Sequence, residues 1–218
     1  MRIELILCSL ALLSATCTPQ RKEFEGRVHY VYAMTRKMGA TDSTSSDASD
    51  SSIYSYKKGK YRWDYPNQGA IFQLSDPYKN LNVVKYENID TLYKILSLPE
   101  DTLLSYRLTK NAGTICGYVC DKLEAEVKSS LFPGITKRTQ WYNTGLYADP
   151  QHFKNDRSLA TYQLVSIARA IPLAFELDNS VMHAKWTAIK VEPGSISDDV
   201  FKLNSSLPIG TISFRNRE

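Results

Sequence analysis

From Phe24 onward the chain sets large apolar side chains at alternate positions: Phe24, Val28, Tyr30, Tyr32 and Met34 fall on one side of an extended segment, Glu25, Arg27 and His29 on the other. A period of two is satisfied only by extended backbone with one face buried, so the segment predicts a strand lying on a core. The pattern returns over residues 53–65, with Tyr54 and Tyr56 before Lys58-Gly59 and Tyr61, Trp63 and Tyr65 after it. A Gly at that break predicts a hairpin. The 14 Tyr, 7 Phe and 3 Trp of the 218 residues therefore belong to strand faces, where aromatic residues are favoured.

Further strand patterns cover residues 70–74, 81–87, 91–98, 103–109, 114–127, 135–143, 173–177 and 182–191. Turn-prone clusters separate them, among them Ser75-Asp76-Pro77, Asn88-Ile89-Asp90, Asn111-Ala112-Gly113 and Pro133-Gly134. Short strands with such punctuation predict a meandering antiparallel sheet, and no alternation of strand and helix argues for a parallel one. One helix is expected at residues 158–170, where Leu159, Tyr162, Val165 or Leu164, and Ala168 or Ile167 recur at helical spacing behind Ser158 and ahead of Pro172. Residues 38–52 are rich in Ser, Thr and Asp and predict a flexible loop within the domain. The expected architecture is mainly β with a helix (α+β), one domain over residues 18–218.

Residues 1–17 have the shape of a signal peptide: Arg2, a mostly apolar run from Ile3 to Leu13 interrupted by Glu4 and Ser9, then Ser14 and Ala15. The run is too short to span a bilayer, which takes about 18 or more apolar residues. Export to the cell envelope, periplasmic or at the outer membrane, is the expected location. Leu13-Ser14-Ala15-Thr16-Cys17 resembles a lipobox, which would make Cys17 a lipid-attachment residue and the N-terminus a membrane anchor. Cleavage near Ala15 by an ordinary signal peptidase is the alternative.

Chemistry-bearing patterns are sparse. A net charge of +4 without a clustered basic face argues against a nucleic-acid partner. His29, His152 and His183 stand apart from other ligand types, so no metal site is expected. The sequence contains no G-x-S-x-G, P-loop or G-x-G-x-x-G, and no catalytic residue, cofactor or enzyme activity is expected. Glu124 and Glu126 alternate with Leu123, Ala125 and Val127, as on a solvated strand face. Cys116 and Cys120 are a possible disulfide in an oxidising envelope. Four extended residues would separate their Cα atoms by about 13 Å, so a bridge requires a turn at Gly117; without one, both thiols lie buried on one strand face.

The aromatic faces suggest a function. Phe24, Val28, Tyr30, Tyr32, Tyr61, Trp63, Tyr106 and Tyr118 lie in apolar stripes that either pack as core or line a concave cavity for a hydrophobic ligand. The order of motifs adds to this. Phe24-x-Gly26-x-Val28-x-Tyr30, Lys60-x-Arg62-x-Asp64, Ile115-x-Gly117-Tyr118-x-Cys120-x-Lys122, Gln140-Trp141-Tyr142, Ile171-Pro172-Leu173 and Val200-Phe201-x-Leu203 before Pro208 resemble a family of Gram-negative envelope proteins with a domain of unknown function, related to the LolA and LolB lipoprotein carriers. The resemblance spans about residues 24–208. It implies an antiparallel β half-barrel wrapped around a short helix, with an interior that holds lipid or a lipoprotein acyl chain. Such carriers place an Arg inside the barrel; none here matches it residue by residue, since Arg62 and Arg107 lie opposite the aromatic stripes. The second expectation, from another class, is an envelope interaction or scaffold protein whose core is filled.

Overall fold

The computed structural model describes residues 21–37, 50–65, 69–97, 100–156 and 158–213. The leader with Cys17, and residues 38–49 of the expected loop, lie outside the described residues. Among the described residues twelve strands form one sheet: β1 (Glu25–Arg36), β2 (Asp50–Lys57), β3 (Lys60–Asp64), β4 (Ala70–Asp76), β5 (Leu81–Tyr86), β6 (Leu92–Ser97), β7 (Thr102–Ile115), β8 (Tyr118–Lys128), β9 (Ile135–Tyr147), β10 (Ala170–Asp178), β11 (Met182–Pro193) and β12 (Ile209–Ser213). One α-helix, α1, spans Thr161–Ala168. The sheet runs β12-β6-β5-β4-β3-β2-β1-β11-β10-β9-β8-β7, with β12 and β7 as its open edges. The mainly β architecture with a short helix is as the sequence predicts.

Local chemistry sets the turns. Lys58 (φ 47°) and Gly59 (φ 79°) join β2 to β3, two consecutive left-handed residues that match the twist of a hairpin. Cys116 (φ 50°) and Gly117 (φ 80°) repeat the device between β7 and β8. The single strand expected over residues 114–127 is therefore two strands, because Gly117 supplies the turn. The turn expected at Asn111-Ala112-Gly113 is instead a bulge inside β7, between the pairs Thr109–Lys122 and Gly113–Cys120. Asp121 holds it, accepting from the Asn111 N–H and from Lys110 Nζ.

Three further expectations are corrected. Strand β2 begins at Asp50, so Ser51 and Ser52 pair with β1 and do not belong to a loop. The helix starts at Thr161 and not at Ser158: Leu159 and Ala160 are left-handed (φ 50° and 56°), and the Leu159 N–H is taken by Asp101 at 2.6 Å. Strand β12 lies beyond Pro208, unexpected, and pairs with β6 in parallel. The connection after β11 makes this possible by carrying the chain across to the far edge. On the way Ile196 and Phe201 cover Leu74, burying β4 on the face opposite the helix.

The other face holds the main core. Phe24, Val28, Tyr30, Tyr54, Tyr56, Cys120, Val165, Ile171 and Leu173 form one cluster, and Leu123, Ala125, Tyr142, Leu164 and Ala168 a second. Val165 belongs to the first and Leu164 to the second, so one eight-residue helix contributes to both clusters. The sheet curls about the helix to allow this. Burial of each large side chain contributes about 1.5–3 kcal/mol, and the ring pairs, such as Tyr30 on Trp63 at 5.6 Å, about 0.5–1.5 kcal/mol more.

Candidate functional site

The concave face is not completely filled. Between α1 and strands β2–β5, β9 and β10 lies an open cavity of about 440 Å³. Tyr30, Tyr54, Tyr61, Trp63, Tyr65, Tyr86, Phe153 and Phe175 form its aromatic wall, with Val84, Ile95, Val165 and Ile171 between them. Burial holds the phenols of Tyr30, Tyr54, Tyr61 and Tyr65 above the usual tyrosine range, so they remain neutral. Tyr30 donates to the Pro172 carbonyl at 2.5 Å and is fixed there.

One corner of this apolar chamber is polar. Arg138, on β9, donates through Nη1 to the Leu159 carbonyl (2.8 Å) and to Thr161 Oγ1 (2.9 Å). Its Nε and Nη2 meet the Gln140 amide oxygen at 3.3 and 3.0 Å when that amide is turned to accept both. Asp156 lies in the same corner, with the backbone of Ser158 as a hydrogen-bond partner. Both charged side chains are half-buried by surface area and line the chamber. Burial pushes Asp156 up to about 6 against the opposing pull of Arg138, and burial brings Arg138 down to about 10. The left-handed Leu159 and Ala160 stand beside this corner, a conformation that costs non-glycine residues about 1–3 kcal/mol each and that the bonds from Arg138 and to Asp101 maintain.

A smaller cavity of about 200 Å³ abuts the chamber, sharing Tyr61, Ile95, Phe153 and Asp156 and adding Asp76, Lys94 and His152. His152 is held by Glu23 (3.0 Å) and Tyr78 (2.9 Å).

No protein-family model and no curated protein matches the chain. A solved structure of LprF from Mycobacterium bovis is similar at 10% identity and a TM-score of 0.28, over 79% of this chain and 88% of that one. No conclusion about fold or function rests on a likeness of that extent.

Of the residues expected to line a cavity, Tyr30, Tyr61 and Trp63 do so. Phe24 and Val28 are core beyond the chamber's wall. Tyr32 packs against Trp186 with tilted rings 4.6 Å apart, outside it. Tyr118 packs on the edge of the first core cluster, and Tyr106 is 55% exposed on the edge strand. These stripes have the right period, but they lie on parts of the sheet that the chamber does not reach. Cys116 and Cys120 are both free thiols, and the pair is not buried on one strand face: Cys116 is exposed in the β7–β8 turn, and Cys120 is buried. Arg62 and Arg107 lie away from the chamber, Arg62 over the Phe72 ring (4.1 Å) and Arg107 on Glu124 (2.8 Å). Sequence reasoning missed Arg138, Gln140, Asp156 and Phe175. Gln140 and Arg138 alternate on β9, which was the available signal; nothing local marked Asp156.

Proposed function

We propose that this chain is a non-enzymatic envelope protein, a half-barrel of the LolA and LolB kind, that holds the hydrocarbon chain of a lipid or lipoprotein in the cavity beneath α1. In this reading residues 1–17 direct export and Cys17 carries the lipid that keeps the protein on a membrane. The observation that carries the binding role is the open volume of about 440 Å³ behind eight aromatic side chains. Ligand pockets for small molecules occupy about 300–1,000 Å³ and are mostly apolar with a few placed polar groups. A scaffold protein with no ligand has no use for such a volume, because an unfilled apolar interior forfeits packing energy.

Fluorescence titration with dansyl-undecanoate tests the assignment. Ile95 lines the chamber and is half-buried, so Ile95→Trp fills space without displacing a fully buried group. The variant should bind the probe about tenfold more weakly, with little change in melting temperature. Unchanged affinity in a folded variant would place the ligand elsewhere.

A further inference from the structure

The polar corner has no role in holding a plain hydrocarbon. An alkyl chain gains nothing from a guanidinium, and charged groups enclosed beside an apolar chamber cost energy unless something compensates them. Arg138 and Asp156 both line the chamber, and among the described residues no ion pair joins them. Arg138 is positioned by Leu159, Thr161 and Gln140, so its guanidinium is held in place before any ligand arrives.

We propose that the ligand is a single-chain amphiphile with an anionic head, the chain lying along the aromatic wall and the head docking in the corner against Arg138 and the carboxyl of Asp156. This rests on the chain-binding reading above and adds the chemistry of the head. A guanidinium with a remaining N–H matches a carboxylate, sulfonate or phosphate oxygen. An anion beside ionised Asp156 is repelled, whereas the neutral carboxyl donates a hydrogen bond to it. Binding therefore takes up one proton from solvent, onto Asp156. The groups that face Asp156 are Arg138 from β9, Tyr54 from β2 and Tyr61 from β3; Asp76, Lys94 and His152 share the smaller cavity with it. The tyrosines stay neutral, so among the described residues that line the chamber Arg138 is the cation.

Isothermal titration of the full chain with dodecanoate, dodecyl sulfonate, dodecanol and dodecyltrimethylammonium tests this. The two anions should bind most tightly. Dodecyl sulfonate stays charged throughout, so any pH dependence comes from the protein: its affinity should fall from pH 6 to pH 8, with a limit of about fiftyfold for the uptake of one proton. Asp156→Asn should remove that dependence. Arg138→Gln should weaken the anions about tenfold and leave dodecanol within about twofold, and Arg138→Lys should restore most of the loss. Lys94→Gln, in the neighbouring cavity, should change little. Equal binding of dodecanol, a preference for the cation, or a loss that follows Lys94 would overturn the anionic head and leave chain binding standing. Failure of all four amphiphiles to bind would end both readings. Since Arg138 also anchors the turn before α1, an unfolded Arg138→Gln leaves the decision to the Asp156→Asn pH profile.

Discussion

At the scale of single residues, the charged groups carry the least expected behaviour. Asp156 is pushed up to about 6 by burial, from an ordinary value near 3.8. A raised carboxylate favours the folded state only while protonated: its contribution is complete below about pH 4 and is lost as the pH rises through 6. Asp156→Asn should therefore make the protein more stable than the parent at pH 7–8, by about 1–2 kcal/mol. That is less than the two-unit displacement alone implies, because water reaches the cavity. The difference should vanish near pH 4. Urea denaturation at the two pH values checks this, and an equal effect at both would mean that Asp156 is not held in the raised state.

At the scale of elements, two hairpin turns share a backbone and differ in surroundings. Gly59 and Gly117 have φ of 79° and 80°, and a side chain is strained at both. A Cβ at Gly59 would also stand 2.4 Å from His152 Cγ, whereas at Gly117 it meets nothing within 4 Å. Gly117→Ala should cost about 1 kcal/mol. Gly59→Ala should cost about 2–3 kcal/mol and loosen the turn that carries His152 and Phe153, since that ring is held by Glu23 and cannot simply swing away. Thermal melts of the two variants separate the strain from the clash; equal losses would show that the His152 ring gives way freely. The Gly59 turn was legible as a hairpin, whereas Gly117 read as the interior of one strand over residues 114–127 and as a turn only if Cys116 and Cys120 were bridged. The packing of His152 on Gly59 was not legible, because the contact joins residues about ninety positions apart.

At the scale of the whole molecule, the sheet is open, and its longest strand is an edge. Strand β7 pairs only with β8 and exposes Leu104, Tyr106 and Leu108 at 50%, 55% and 41%. An uncapped edge of fourteen residues without proline offers its free backbone groups to another strand. Tyr106→Lys should lower self-association at high concentration, read by analytical ultracentrifugation, without changing the affinity for the dansyl probe. If the variant lost the probe, Tyr106 would have to contribute to ligand binding from outside the chamber.

The sequence by itself determined most of the strands, the Lys58-Gly59 hairpin and the presence of one short helix, but not β12, the split at Gly117 or the start of the helix. What it determined follows from period and from glycine position, which are local properties of the chain. It also marked Tyr30, Tyr61 and Trp63 as members of one kind of face. Only the tertiary structure decided which of those faces met and which stayed apart. Tyr106 and Trp63 read alike along the chain, yet one lies on the open edge and the other on the chamber wall, because strand order and not period sets a neighbour. The polar corner shows the same limit. Arg138 and Asp156 lie eighteen positions apart, on a strand and in a turn, and the corner exists because the sheet curls over a helix too short to fill it.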